Sequence, residues 1–213
     1  AEEACVPEKK LTRIPAEMDF ITAASMSLTY GTSAYALFQR ANIKKEDVVL
    51  IHGAAGGVGI TALEISKNIG STVIVTAGTD KKLATLKDYG ADYCINYSSG
   101  EFKEKVKEYT NGKGADIIYD PVGGDVFDQS LRCISWNGKL LVIGFASGRI
   151  SSAPANLPLL KNCSIVGVFW GAWTEREPQG HNENMKKIFN WWKDGRISPK
   201  ISKVFSLENA KDA

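Results

Sequence analysis

Between Val48 and Phe169 the chain alternates between two apolar rhythms, and that alternation limits its fold more than any other feature. Short β-branched runs recur at Val48–His52, Thr72–Thr76, Tyr93–Asn96, Ala115–Asp120, Lys139–Gly144 and Ser164–Phe169. Segments with helical spacing lie between them, at Gly57–Ile69, Asp80–Tyr89, Glu101–Tyr109 and Asp125–Ile134. In the first of these, Val58, Ala62, Ile65 and Ile69 form one stripe, and Gly70 supplies a stop. Gly90 stops the second in the same way. Strands separated by helices pair in parallel, because each return crossover needs about a helix of chain. The expected fold class is α/β, a doubly wound six-stranded parallel sheet covered on both faces.

The flanks read as additions to that core. Asp19–Ala41 is expected as one long helix entered after Pro15, and Met185–Lys193 as another with Ile188, Trp191 and Trp192 inward. Lys200–Phe205 reads as the start of a strand and Ser206–Ala213 as the start of a helix. The EFKEKVKE run, with Glu101 and Lys105 paired one turn apart, is a solvated helix face. With 213 residues, 44% hydrophobic and 23% charged, the chain can bury a full core, which excludes disordered and coiled-coil classes. Lys and Arg number 26 against 24 Asp and Glu, a balance that gives no support to a nucleic-acid or membrane-surface partner. No apolar run approaches the ~18 residues of a membrane span. Cys5, Cys94, Cys133 and Cys163 are scattered, and His52 and His181 have no companions, so neither a disulfide framework nor a metal site is expected. The cysteines read as small buried residues of a reducing compartment.

The turn after the first strand carries the chemistry. In VVLIHGAAGGVGITALEIS, residues 48–66, Ala54, Gly56 and Gly59 occupy the three positions of a G-x-G-x-x-G motif, with Ala in the first. A small first residue permits the sharp turn, Gly56 lets a pyrophosphate reach the backbone, and Gly59 lets helix and strand pack closely. Phosphates bound there sit on unpaired N–H groups at a helix N-terminus. A strand before, a helix after and a second strand at the right distance make dinucleotide binding the reading, against a plain strand-to-helix turn.

The second strand's end decides which dinucleotide. An NAD site carries Asp or Glu there to accept from the ribose 2′-OH. Counting 19 from Gly59 reaches Gly78, so that position holds no acid. Asp80, just beyond, is explained by the dipole of the next helix. Thr79 can donate to a 2′-phosphate and Lys82 can add charge, although Lys81 and Lys82 also suit a solvated helix surface. NADP(H) is favoured. A methyltransferase is disfavoured by the same missing acid.

These residues resemble the medium-chain dehydrogenase/reductase superfamily, in its zinc-independent quinone oxidoreductase branch. The likeness runs through LTYGTSAYALFQRANIKKEDVVLIHGAAGGVG (28–59), VIVTAGTDKKLATLKDYGADYCINY (73–97) and GADIIYDPVGGDVF (114–127). It continues through GKLLVIGFASG (138–148), NCSIVGVFWGAW (162–173) and FSLENAKDA (205–213). The resemblance implies a Rossmann domain over 19–198. It implies a remnant of a GroES-like catalytic domain and hinge over 1–18, and the start of a return segment over 199–213. The chain is thus expected to be an excised cofactor domain, with a naturally shortened homologue as the alternative.

By the same resemblance Ala55, Gly56, Gly57, Val58 and Gly59 hold the pyrophosphate, and Gly78, Thr79, Lys82 and Tyr97 surround the 2′-phosphate. Thr32 lies near the nicotinamide half. Val122, Gly144, Phe145, Phe169, Trp170 and Gly171 complete the crevice at the ends of the fourth, fifth and sixth strands. Phe145, Phe169 and Trp170 equally suit core or interface positions, and Tyr97 equally suits packing. The implied reaction is hydride transfer from NADPH to a quinone or an α,β-unsaturated carbonyl, and no catalytic acid is assigned. A homodimer through the edge of the sixth strand is implied, as is a cytoplasmic place, or a mitochondrial one if a transit peptide was removed. The reading from a different class is a non-catalytic NADP(H)-binding and dimerisation module.

Overall fold

In a computed structural model the described residues are 3–100 and 102–212, so the expected Glu101–Lys105 pair lies outside them. Six parallel strands form one sheet: β1 (Val48–Ile51), β2 (Thr72–Ala77), β3 (Tyr93–Asn96), β4 (Ala115–Asp120), β5 (Ile134–Val142) and β6 (Ser164–Gly167). Their order is β3-β2-β1-β4-β5-β6, so the chain winds outward in both directions from β1. The reversal between β1 and β4 opens a crevice at the carboxyl ends of the strands.

Alternating side chains sort the core into two layers. Val49, Ile51, Val73, Val75, Ile117 and Tyr119 pack on one face against α1 (Phe20–Ala34), α2 (Gly57–Ile69) and α8 (Pro178–Lys193). Leu50, Ile74, Ile118 and Leu140 pack on the other against α4 (Phe102–Tyr109) and α5 (Asp125–Cys133). Beside β2, α3 (Asp80–Asp88) adds Leu83 and Leu86 to the first layer. Tyr30 of α1 donates to Glu64 Oε2 of α2 at 2.5 Å, and the Ser198 amide donates to Glu64 Oε1 at 2.7 Å. That buried carboxylate joins both helices to the segment after α8. Burial pushes its pKa up, outweighing the lowering effect of the Ser198 and Tyr30 donors.

Several boundaries depart from the sequence expectation. Asp19 does not begin α1; its carboxylate caps the helix by accepting from the Thr22 amide at 2.9 Å. Past Ala34 the helix widens to π geometry over Tyr35–Ala41 and stops at Asn42, which takes a left-handed φ of 54°. Ile134 belongs to β5 rather than α5, pairing with Ala115 before a bulge around Asn137 and Gly138 resets the register at Lys139. β5 ends at Val142 and not at Gly144, and β6 ends at Gly167 and not at Phe169.

Two helices were not foreseen. These are α6 (Asn156–Lys161), which tolerates Pro158 in its first turn, and α7 (Trp170–Arg176). α8 starts at Pro178, seven residues before Met185, because Pro fits the first turn of a helix. Lys200–Phe205 forms no strand, since it pairs with neither edge of the sheet, and only a 3₁₀ turn follows at Leu207–Asp212. Ala213 lies outside the described residues. No described helix is long and apolar enough to cross a membrane.

Candidate cofactor site

The turn between β1 and α2 is built from backbone in contact with backbone. Gly53 sits at φ 54°, its carbonyl accepts from the Gly56 amide at 2.9 Å, and Gly56 precedes α2. A Cβ on Gly59 would lie 2.6 Å from Ala54 Cα and 2.7 Å from the Gly53 oxygen, so only glycine fits where helix and strand cross. No side chain caps the N-terminus of α2. The amides of Gly57, Val58 and Gly59 therefore face the crevice end of the helix without the usual Ser, Thr or Asp acceptor. That is a cradle for an anion, and it suits a dinucleotide's pyrophosphate.

Neighbouring elements close around this turn. Val122 Cγ2 lies 3.2 Å from where a Cβ on Gly53 would be. The buried Asp120 carboxylate holds Val122 and Gly123 by accepting from their amides at 2.8 and 2.9 Å. Desolvation raises the pKa of Asp120 despite those two donors. Behind the strand ends, Ala146 and Ser147 donate to the carbonyls of Pro121 and Val122, which sets Gly144 and Phe145 beside them. Phe145 is 45% exposed and its ring edges onto Gly123. On the far side, Thr29 of α1 places Cγ2 3.1 Å from a Cβ position on Gly57. Ser33 bonds the Val58 carbonyl, Thr61 and Tyr119, at 2.9, 2.8 and 2.9 Å. Thr29 and Ser33 are thus the α1 hydroxyls set on the turn region, whereas the half-buried Thr32 between them makes no such side-chain bond. Only their i, i+4 spacing on one helix face pointed to them in the sequence.

A second cluster forms at the end of β2. A Cβ on Gly78 would lie 3.1 Å from the Tyr97 hydroxyl, so a glycine here lets that ring stand against the strand end. Thr79 caps α3, its hydroxyl accepting from the Lys82 amide at 3.4 Å. Lys82 and Tyr97 are both exposed, which leaves an ammonium and a phenol free to meet solvent or ligand. Ser98 donates to the Gly78 carbonyl at 3.0 Å, and Asn96 to Asp80 at 2.8 Å. Neither contact was anticipated, although Asn directly before Tyr-Ser is a sequence pattern for a tight side-chain turn.

The sixth-strand group is placed differently from the sequence reading. Phe169, Trp170 and Gly171 do not end β6; Phe169 precedes α7 and the other two open it. Trp170 lays its indole on Gly31, where a Cβ would come within 2.9 Å of the ring, and Trp173 is buried and stacks on Tyr35 at 4.3 Å. Phe169, by contrast, is 76% exposed. His181 lies in the first turns of α8, edge-on to Trp170 and Trp173.

His52 is structural. Its two ring nitrogens bond the hydroxyls of Thr76 and Ser130, each at 2.9 Å, and complete burial pushes its pKa down to about 3. The described cysteines are all unpaired, and burial raises the Cys133 thiol to about 12. Among the described residues no three His, Cys, Asp or Glu side chains gather in a way that could hold a metal ion.

Strand order, glycine turn and crevice define a Rossmann domain of the doubly wound type. Residues 57–186 match the model of the zinc-binding dehydrogenase family. The chain belongs to that family, and the curated relatives it is similar to include quinone oxidoreductase-like proteins. It is 39% identical over 214 residues to a quinone oxidoreductase-like protein 2 homolog of Nematostella vectensis, covering all of this chain and 59% of that protein. The crystal structure of a 2-haloacrylate reductase superposes with a TM-score of 0.89 at 32% identity, over 97% of this chain and 65% of that one. The quinone oxidoreductase of Escherichia coli, solved in complex with NADPH, gives 0.82 at 28% identity, over 91% and 60%. The chain therefore spans about three fifths of the length of the curated relative.

Proposed function

We propose that this chain is the NADP(H)-binding domain of an oxidoreductase whose acceptor is a quinone or another α,β-unsaturated carbonyl compound. The observation that carries the reading is the uncapped N-terminus of α2 over the Gly53–Gly59 turn, combined with a β2 end that offers Gly78 where an NAD site has an acid. The amides of residues 57–59 receive the pyrophosphate, which the Ala55–Gly56 backbone lets approach, and Val122 closes the turn from the side. Gly78 leaves room for the extra phosphate, Thr79 and Tyr97 donate to it, and the Lys82 ammonium opposes its charge. Gly144 and Phe145 line the crevice toward the nicotinamide, while Phe169 to Gly171 guard its β6 side. Bound in that crevice, NADPH supplies the hydride, and the surrounding residues orient it and exclude water. The NADPH complex of the Escherichia coli relative supports the cofactor, and a relative named for reducing a haloacrylate supports an activated alkene as acceptor.

Turnover belongs to the whole protein, and this chain by itself is expected to bind without reducing the acceptor. The exposed outer side of β6, with Ser164, Ile165 and Gly167, supports pairing with a second copy along that edge. An Ile165→Lys substitution is expected to shift such a dimer toward monomer in sedimentation analysis.

Calorimetric titration with NADPH and NADH tests the cofactor reading. NADPH is expected to bind at least tenfold more tightly, the worth of one or two charge-assisted contacts, and Lys82→Ala narrows that gap several-fold. Equal affinities for the two cofactors in the unaltered chain would sink it.

A further inference from the structure

Three buried hydroxyls meet beside the first turn of α2: Ser33 of α1, Thr61 of α2 itself and Tyr119 near the end of β4. Ser33 Oγ is their junction, 2.8 Å from Thr61 Oγ1, 2.9 Å from the Tyr119 hydroxyl and 2.9 Å from the Val58 carbonyl oxygen. Each hydroxyl has one proton to give, and a carbonyl can only accept. Among the described residues Ser33 is the only hydrogen-bond partner of the Tyr119 hydroxyl, and burial raises the pKa of that phenol. Tyr119 therefore donates to Ser33; in the other direction its buried proton has no acceptor. Thr61 donates to Ser33 over the shortest of its contacts, since its distances to the carbonyls of Thr29, Gly57 and Val58 are 3.2, 3.2 and 3.1 Å. Ser33 then accepts twice and donates once, to the Val58 carbonyl, and no buried proton is left over.

That carbonyl belongs to the same peptide unit as the Gly59 amide. Ile60 is the first residue of α2 whose amide has a backbone acceptor, the Gly56 oxygen at 3.0 Å, so the Gly59 N–H is one of three left for an anion. We propose that Ser33 is a positioning residue for the dinucleotide's pyrophosphate: with Tyr119 and Thr61 donating to it, its hydroxyl polarises the Val58–Gly59 peptide and holds that N–H as a donor at the open end of the helix. The inference rests on the NADP(H) reading of the glycine turn. A hydroxyl that accepts hydrogen bonds donates a stronger one, and a peptide whose oxygen gains a donor carries a more positive N–H. Ser33 and Tyr119 are fully buried and Thr61 nearly so, so none of them needs to touch the ligand. The effect reaches the cradle from behind, through the peptide.

The test compares NADPH with adenosine 2′-monophosphate, which keeps the 2′-phosphate and lacks the pyrophosphate, on the whole chain and on Ser33→Ala and Tyr119→Phe. Calorimetry reads NADPH binding, amide NMR reads the smaller nucleotide, and circular dichroism confirms that each variant is folded. Ser33→Ala is expected to weaken NADPH roughly fivefold and Tyr119→Phe roughly twofold, within the worth of one neutral hydrogen bond. Adenosine 2′-monophosphate is expected to bind both variants as it binds the unaltered chain. Before any ligand is added, the Gly59 amide nitrogen is expected to move upfield in both variants, because the oxygen of its peptide has lost or weakened a donor. Tyr119→Phe deletes a single oxygen and carries the test by itself should Ser33→Ala not fold. Equal weakening of the two ligands assigns the effect to general loosening and overturns the proposal, as does an NADPH affinity unchanged in either variant. An unaltered chain that binds no NADPH overturns the NADP(H) reading itself and this inference with it.

Discussion

At the end of β1 the chain turns through glycines whose missing side chains let backbone touch backbone; at the end of β6 it turns through Val168 and Phe169 into a helix seated by aromatic rings. The first turn has one solution. Gly59 meets main-chain atoms that cannot move without moving a strand, so the residue type follows from the geometry. The second has many, since an indole on Gly31 and a ring stacked on Tyr35 can be accommodated by other side chains. Backbone-limited fits leave a signature in sequence and ring-limited fits do not.

Four changes probe that contrast, and their expected effects fall in size from the β1 end to the β6 end. Gly59→Ala drives a methyl into Ala54 and Gly53, and is expected to cost about 3 kcal/mol or more in chemical denaturation. Acidification acts through His52, also at the β1 end. Below pH about 6.5 the unfolded chain takes a proton on this imidazole that the native core refuses until pH about 3. Stability is then lost as pH falls, by about 2 kcal/mol between pH 6.5 and 5 for this group alone. Glu64 and Asp120, whose pKa values are raised, push the other way, because the native state gains protons ahead of the unfolded one. The readout is therefore the difference between the unaltered chain and His52→Gln, which keeps two hydrogen-bonding atoms and is expected to show the flatter acid limb.

At the β6 end the effects shrink. Gly31→Ala must displace the Trp170 ring from 2.9 Å, and is expected to cost about 1 kcal/mol together with a shift in tryptophan emission. Gly171→Ala meets nothing nearer than 3.8 Å and sits inside α7, so a gain of about 0.5 kcal/mol in thermal or chemical unfolding is expected. A loss there as large as at Gly59 would erase the distinction between the two turns.

The same contrast marks how far the amino-acid pattern reaches. Six strands, their parallel pairing and α2 with its Gly70 stop could be read from residue type, because β-branched runs and left-handed glycines have few alternatives. The unpaired edges could not. Without a neighbour beyond β6, nothing in VGVFWG says that pairing stops at Gly167, and Lys200–Phe205 has strand composition yet pairs with neither sheet edge. In the candidate site, the glycine turn and Gly78 were legible from spacing. Thr29, Ser33, Asp120 and Asn96 act through contacts between elements distant in sequence, which no local pattern encodes. Thr32 was singled out over its neighbours by resemblance alone, and the face of α1 that meets α2 is decided by packing.

Amide hydrogen exchange with and without NADPH reads the pyrophosphate cradle at the start of α2 residue by residue. The amides of Gly57, Val58 and Gly59 have no side-chain cap, so they are expected to exchange readily in the free chain and to slow when pyrophosphate oxygens accept from them. Slowing at residues 57–59, with a second protected patch at 78–82, is the predicted result. NADPH binding that leaves the first turn of α2 unprotected would contradict the account.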